Sequence, residues 1–482
     1  MNLRAVVQVL GFLLVVTAAC LVVPAAVSFG YGEGDGPAFL VTALVGAVAG
    51  GACLAAGRGA GDLRAREGFA VVTLGWLVVG VLGAAPYVAT GAIPDVTDAV
   101  FESISGFTTT GATILRDIEG QSHAVLFWRA LTHWLGGMGI VLLALAILPL
   151  LGVGGMQLYR AEVPSPTPDR LTPRIRQTAK LLWGVYVLLT ALETLALWLA
   201  GLSLFDAVCH GFATMATGGF STRDASVGAY QSAAVEWIVV VFMFLAGTNF
   251  TLHYLALRGR GRVYFRDEEL RFFVKVLVGF SVVIAVLLLA HGLYSDVHDA
   301  LRDAVFQVVA IATTTGFGTA DYLLWPPFAA AGLLVLMAMG GCAGSTGGGI
   351  KVMRIIVLLK HAKVEMVKLL HPRAVYNLWF NERSLSPGLA TNVLGFFLLY
   401  MLMYLAGVLV LTLGGRDLVT AVGATAATLS NIGPGLGEVG PASNYAGLVA
   451  GEKWLLIFFM LTGRLEIYTV LVLLLPEAWR RS

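Results

Sequence analysis

Four short stretches of this chain can be laid over one another without a gap. Asp98-Ala99-Val100, Asp206-Ala207-Val208, Asp303-Ala304-Val305 and Thr420-Ala421-Val422 each lead, thirteen residues after the first of the three, to a glycine: Gly111, Gly219, Gly316 and Gly433. The residues just before these glycines are Thr109-Thr110, Thr217-Gly218, Thr314-Thr315 and Asn431-Ile432. In the second copy Gly218 also adjoins Gly219, but the shared offset selects Gly219 and aligns Phe220 with Phe317. Each glycine follows an apolar segment, roughly 96–107, 204–215, 301–312 and 418–429. A helix of about 12 residues is about 18 Å long, half a bilayer, so these segments read as re-entrant half-helices. One TTTG is weak evidence. Four in register require a fold that gives four copies of one unit equivalent surroundings.

Those surroundings are hydrocarbon. Of 482 residues, 58% are hydrophobic and 12% charged, against about 45–50% and about 25% in soluble domains. Such a chain cannot cover a water-exposed surface of its size, which excludes a soluble enzyme, a disordered protein and a nucleic-acid binder. Ten segments have the length and apolarity of membrane spans: 5–28, 38–57, 69–89, 124–153, 177–200, 232–256, 272–292, 325–357, 388–413 and 452–475. The expected fold is an all-α membrane protein with two leading spans (1–67) and four units of span, half-helix, Gly-rich stretch and span: 68–155, 156–257, 258–373 and 374–482. If the N-terminus is inside, 24 of the 31 Lys and Arg fall on the inner side, and the loops 58–67, 156–176, 257–271 and 360–386 are cytosolic. The half-helices then enter from the outer side, whose segments carry acids such as Glu33, Asp95, Asp98 and Asp296 and would raise local cation concentration.

The chemistry follows from the backbone. A dehydrated alkali cation needs several oxygens, and carbonyls supply them without a full charge that would trap the ion. Successive carbonyls can face one axis only if the chain leaves helix and strand geometry, which Gly permits. Such backbone survives at membrane depth only when buried in protein or lining a water-filled path. Each half-helix would aim the partly negative end of its dipole at the path, and the aligned aspartates would cap its outer end.

At these residues the chain resembles a known family. FTTTGAT (107–113), MATGGFST (215–222), ATTTGFGT (312–319) and SNIGPGLG (430–437) look like the four filter segments of the Trk/Ktr/HKT superfamily of potassium transport proteins. The segments 127–166, GGCAGSTGGGIKVMR (340–354) and LTGRLEIYTVLVLL (461–474) resemble its TrkH branch, as do the two leading spans. The resemblance implies potassium or rubidium uptake through a filter of Thr109, Thr110, Gly111, Thr217, Gly218, Gly219, Thr314, Thr315, Gly316, Asn431, Ile432 and Gly433. It further implies a homodimer in a bacterial inner membrane, with one pore per protomer and cytoplasmic termini. A cytosolic TrkA-type nucleotide-binding ring would regulate it, any nucleotide being bound by that partner only. K+ is the transported ion, with no organic cofactor. A sodium- or proton-coupled symporter of the same fold is the alternative.

Residues 340–349 hold six glycines in ten, inside the eighth span. A helix interior loses about 1 kcal/mol per Gly relative to Ala, so this span should break. GSTGGGIK (344–351) lacks the GK[ST] ending of a phosphate-binding loop and follows no strand. The resemblance makes Gly341, Cys342, Ala343, Gly344, Ser345, Thr346, Gly347, Gly348 and Gly349 a gate below the filter. Arg464, a charge inside a span, faces the interior by default; it either holds that loop or pairs with Glu466 as a helix lock. Shortening the loop is expected to raise flux and leave selectivity intact, the filter lying elsewhere. Glu193 is read as a helix-packing contact or a lipid-edge side chain, His133 and His210 as structural. Cys20, Cys53, Cys209 and Cys342 are scattered and read as small apolar residues.

Overall fold

The computed structural model describes residues 2–59, 65–139, 175–373, 376–381, 383–385 and 387–479. The end of the fourth span (140–153) and most of the loop 156–176 lie outside the described residues.

The molecule is an all-α bundle. Among the described residues six helices are long and apolar enough to cross a membrane singly, including Leu3–Tyr31, Gly36–Ala56, Glu268–Ala290 and Gly388–Leu413. Helices in lipid gain little from apolarity alone and associate where small residues let backbones touch. The two leading helices do this at Gly11 and Gly50, where a Cβ on either would come within 2.7 Å of the other's carbonyl oxygen.

Two expected continuous spans are bent. Segment 232–256 is Ala233–Ala246 followed by Phe250–Leu257 at 100°, and 452–475 is Ala450–Arg464 followed by Ile467–Leu474 at 116°. In the first, Gly247-Thr248-Asn249 interrupts the helix, and the Asn249 side chain caps the next one by accepting from Thr251 N–H at 2.8 Å. In the second, Glu466 takes a left-handed φ of 58°. The eighth span breaks as its glycines require, into Pro327–Met339 and Val352–Leu370. Buried free backbone groups must find partners, and two of the breaks supply them to each other: Cys342 N–H donates to Gly247 O (2.9 Å) and Phe250 N–H to Gly344 O (3.0 Å).

The half-helices are Val96–Phe107, Leu204–Met215, Val297–Ala312 and Leu418–Leu429. The third starts about a turn earlier than its apolar pattern indicates, because Asp296 caps it at His298 N–H. The other caps are Asp95, Ser203 and Asp417. The aligned aspartates are therefore not caps: Asp98 pairs with Lys453 (2.6 Å), while Asp206 and Asp303 accept from Thr222 (2.5 Å) and Thr319 (3.0 Å) just past their own glycines. One apolar core joins the leading helices to the first and fourth units through Phe101, Phe107, Phe459 and Met460. Another joins the second and third through Val239, Met243, Phe306 and Leu336. Trp128 is fully buried and donates to Gly83 O, which makes it a core residue.

Candidate functional site: a four-part ring with a loop beneath it

Each half-helix ends in the same backbone. Two residues before the aligned glycine, Thr109, Thr217, Thr314 and Asn431 all have positive φ, between 53° and 62°. The glycines Gly111, Gly219, Gly316 and Gly433 follow at 77°, 80°, 77° and 99°. A left-handed conformation costs a non-glycine residue about 1–2 kcal/mol. Four copies at one register mean that the surrounding structure enforces it, the usual mark of a functional segment.

The four segments meet. A Cβ on Gly111 would collide with Gly218 O, one on Gly219 with Thr315 O, and one on Gly316 with Ile432 O; on Gly433 it would lie 2.7 Å from Thr110 O. Each glycine thus abuts the carbonyl that precedes the next unit's glycine, and the fourth closes on the first. Asn431 adds a side-chain bond across that last seam, donating to Thr110 Oγ1 (2.9 Å) and Met460 O (2.8 Å). Above the ring a cavity of about 160 Å³ is lined by all four glycines and rimmed by Arg116, Arg223, Asp224 and Asn444.

Three units brace the strand beyond the glycine with a side chain at one register of the half-helix. Glu102 accepts from Ile114 N–H (2.8 Å) and Thr113 Oγ1 (3.0 Å). His210 Nε2 lies 3.0 Å from Ser221 Oγ. Gln307, with its amide oriented to satisfy both ends, accepts from Thr319 N–H at 2.8 Å. The fourth unit has Ala424 there. Glu102 is neutralised by the equally buried Arg129 (2.8 Å), whose guanidinium lies over Phe220 and donates to Ser221 O of the second unit. The sequence reading missed Glu102, Arg129 and Gln307; of these, Glu102 and Gln307 could be found, with His210, from the register.

Beneath the ring lies the loop of the third unit, and it touches the filter candidates directly. Gly348 N–H donates to Thr314 Oγ1 at 2.7 Å, and Thr346 Oγ1 to Met215 O (3.1 Å) and Ala246 O (3.2 Å). Loop and ring are therefore hydrogen-bonded, which corrects the expectation that they are separate. Arg464 donates to Thr346 O (2.6 Å), Gly136 O (2.7 Å) and Gly137 O (2.9 Å). Glu466 pairs with Arg354 instead (2.7 Å). Two buried residues were missed in the sequence: Lys351 donates to Gly347 O, and Glu269 accepts from Ala343 and Met353 N–H (2.7 and 2.9 Å). Ser345 donates to Cys342 O. Gly341 and Gly349 sit at the ends of the loop, where Val352 N–H meets Gly341 O and a Cβ on Gly349 would press on Gly340. Glu193 is fully buried, so it does not reach the lipid edge.

Among the described residues no group of three or more His, Cys, Asp or Glu side chains could hold a metal ion. Fold and ring together define the class, a membrane protein built to pass cations. The chain belongs to the TrkH family of cation transport proteins, whose model matches residues 36–479. It is 46% identical over 486 residues to the Trk system potassium uptake protein TrkH of Salmonella typhimurium and 45% identical over 485 to that of Escherichia coli K12, each alignment covering 100% of both chains. It is similar to the crystal structure of the potassium transporter TrkH from Vibrio parahaemolyticus, with a TM-score of 0.89, 42% identity and 100% of both chains covered. It is thus a transport protein and not an enzyme.

Proposed function

We propose that this protein takes up potassium across the cell membrane through the four-part ring, and that the loop 341–349 gates the path below it. The observation that carries the reading is the closed ring, with its four matching left-handed residues and four left-handed glycines. Such backbone turns successive carbonyls toward one axis, where they replace the hydration shell of K+ or Rb+. Thr109, Thr110, Thr217, Gly218, Thr314, Thr315, Asn431 and Ile432 with the four glycines form the filter. Arg464 has a charge that stays on and several donors; it holds the loop shut and repels a cation arriving below the filter. The Lys and Arg distribution supports cytoplasmic termini and a bacterial inner membrane as the location. The words Trk system in the relatives' names support association with further components; these we take to be a second copy of this chain and a cytosolic TrkA-type subunit that itself binds the nucleotide.

The test is 86Rb uptake into proteoliposomes with sodium as competitor. Rubidium uptake that potassium blocks and sodium does not is the expected result. Uptake that sodium blocks equally would remove the potassium filter. Dependence on a sodium or proton gradient, at fixed voltage, would select the coupled symporter.

A further inference from the structure

The fourth unit lacks the brace of the other three, and something else holds its strand. Glu102, His210 and Gln307 each tie the segment beyond their own glycine to their own half-helix. Ala424 has no polar atom with which to do so. Two buried tyrosines take its place, Tyr445 from further along the fourth unit and Tyr322 from the third. Tyr445 donates its hydroxyl to Gly433 O at 2.6 Å, and Tyr322 donates to Gly435 O at 2.7 Å.

The two contacts are not equivalent to the missing brace. Glu102 and Gln307 accept from backbone N–H groups beyond the glycine and His210 bonds a hydroxyl there, so their filter carbonyls stay free. Pro434 follows Gly433 and has no N–H to offer. The tyrosines instead donate to carbonyls, and one of these belongs to the filter glycine itself. Among the described residues the structure records no such donor on the carbonyls of Gly111, Gly219 or Gly316. The fourth glycine also departs from the other three in φ, 99° against 77–80°.

Tyr445 is fixed on every side. It is 2% exposed. Its N–H donates to Thr113 O of the first unit (2.9 Å), and its ring packs on Phe101 of the first half-helix at 5.4 Å. The hydroxyl is therefore held from the first unit while it grips the fourth, across the seam where the ring closes.

We infer that Tyr445 is a specificity-determining positioning residue, which fixes the Gly433 carbonyl and so helps the ring reject sodium. The inference rests on the filter reading above. A carbonyl held at a set angle cannot swing inward to follow a cation smaller than potassium, and a donor on its oxygen weakens the field it presents. Both effects penalise sodium more than potassium or rubidium. The engaged carbonyl still has a second lone pair for the larger ion.

Tyr445→Phe removes the hydroxyl and keeps the ring, the packing on Phe101 and the backbone bond to Thr113. The measurement is the sodium concentration that halves 86Rb uptake in proteoliposomes, with Gly316→Ser run in parallel. Sodium should compete about two- to tenfold better against Tyr445→Phe than against wild type, the change that loss of one net hydrogen bond produces. Maximal rubidium flux in the absence of sodium should fall less than this ratio. An unchanged ratio in Tyr445→Phe, with an altered one in Gly316→Ser, overturns the role of Tyr445 and leaves the filter standing. Unchanged ratios in both well-folded variants overturn the filter and this inference together. A uniform loss of flux at constant ratio means that Tyr445 only supports the fold, and also overturns it. Tyr322→Phe, whose acceptor Gly435 O lies two residues beyond the filter glycine, should show the same direction with a smaller shift.

Discussion

The ring and the loop below it are built on opposite plans. The ring uses four units, and each contributes the same two left-handed residues and one contact to its neighbour. The loop comes from the third unit alone, and it is held by single groups from separate places. Arg464 reaches it from the fourth unit, Lys351 from its own far end, and Glu269 from the helix Glu268–Ala290. An axis shared by four carbonyl sets is a good place to replace a hydration shell, because no single group dominates. An obstruction serves better as one flexible piece, because one event can then move it. Symmetry suits selection, and its absence suits switching.

The largest effect should come from the asymmetric side. Arg464→Ala removes three charge-assisted bonds, one to the loop and two to Gly136 and Gly137 of the first unit. Each such bond is worth about 1.5–3 kcal/mol, so losing the one on the loop alone should raise basal rubidium flux by about ten- to a hundredfold. The assay is uptake into liposomes without a regulatory partner. Flux at or below the wild-type level in a folded variant would make Arg464 a helix lock and the loop a plain kink.

The ring should respond in a graded and nearly equal way. Gly111→Ser, Gly219→Ser and Gly316→Ser each place a Cβ on a neighbouring carbonyl and a side chain in a left-handed conformation. At about 1–2 kcal/mol for the conformation alone, each should lower rubidium-over-sodium selectivity by about tenfold. Gly433→Ser should do less, since its Cβ would stand 2.7 Å from Thr110 O and the other three closer to theirs. A loss confined to one of the four would break the symmetric plan.

What the sequence disclosed follows the same division. A repeated unit leaves a repeated register, so Val96–Phe107, Leu204–Met215 and Leu418–Leu429 match the apolar segments residue for residue, and the four glycines are brought to one level. The break in the eighth span was visible because six glycines cannot stay helical. The bends at Gly247 and Glu466 were not, since Gly247-Thr248-Asn249 and Arg464-Leu465-Glu466 are short interruptions in stretches of span length, and only the loop docked against the first explains why it opens. Lys351 falls inside the expected eighth span and Glu269 just before the seventh; their role exists only once the broken span folds back. Tyr322 and Tyr445 sit outside any register, and nothing local marks them.

The last prediction joins the two plans at the hydrogen bond between the loop backbone and a filter side chain. Thr314 belongs to the ring, yet its hydroxyl accepts from Gly348 of the loop. Thr109 has the same backbone and the same side chain in the first unit, and the loop makes no such bond to it. Thr314→Val keeps the branched shape and deletes the acceptor. Gly348 N–H then has no partner in the closed position, so the closed loop loses about one net hydrogen bond, and basal flux should rise by about two- to tenfold. Thr314→Ser keeps the oxygen and should give a smaller rise. Thr109→Val should alter rubidium-over-sodium selectivity without this leak. In a background with part of 345–348 deleted there is no latch to break, and Thr314→Val should add nothing further to flux while still altering selectivity. If its effect on flux is undiminished in that background, Thr314 acts on conduction alone, and loop and ring are independent devices that happen to touch.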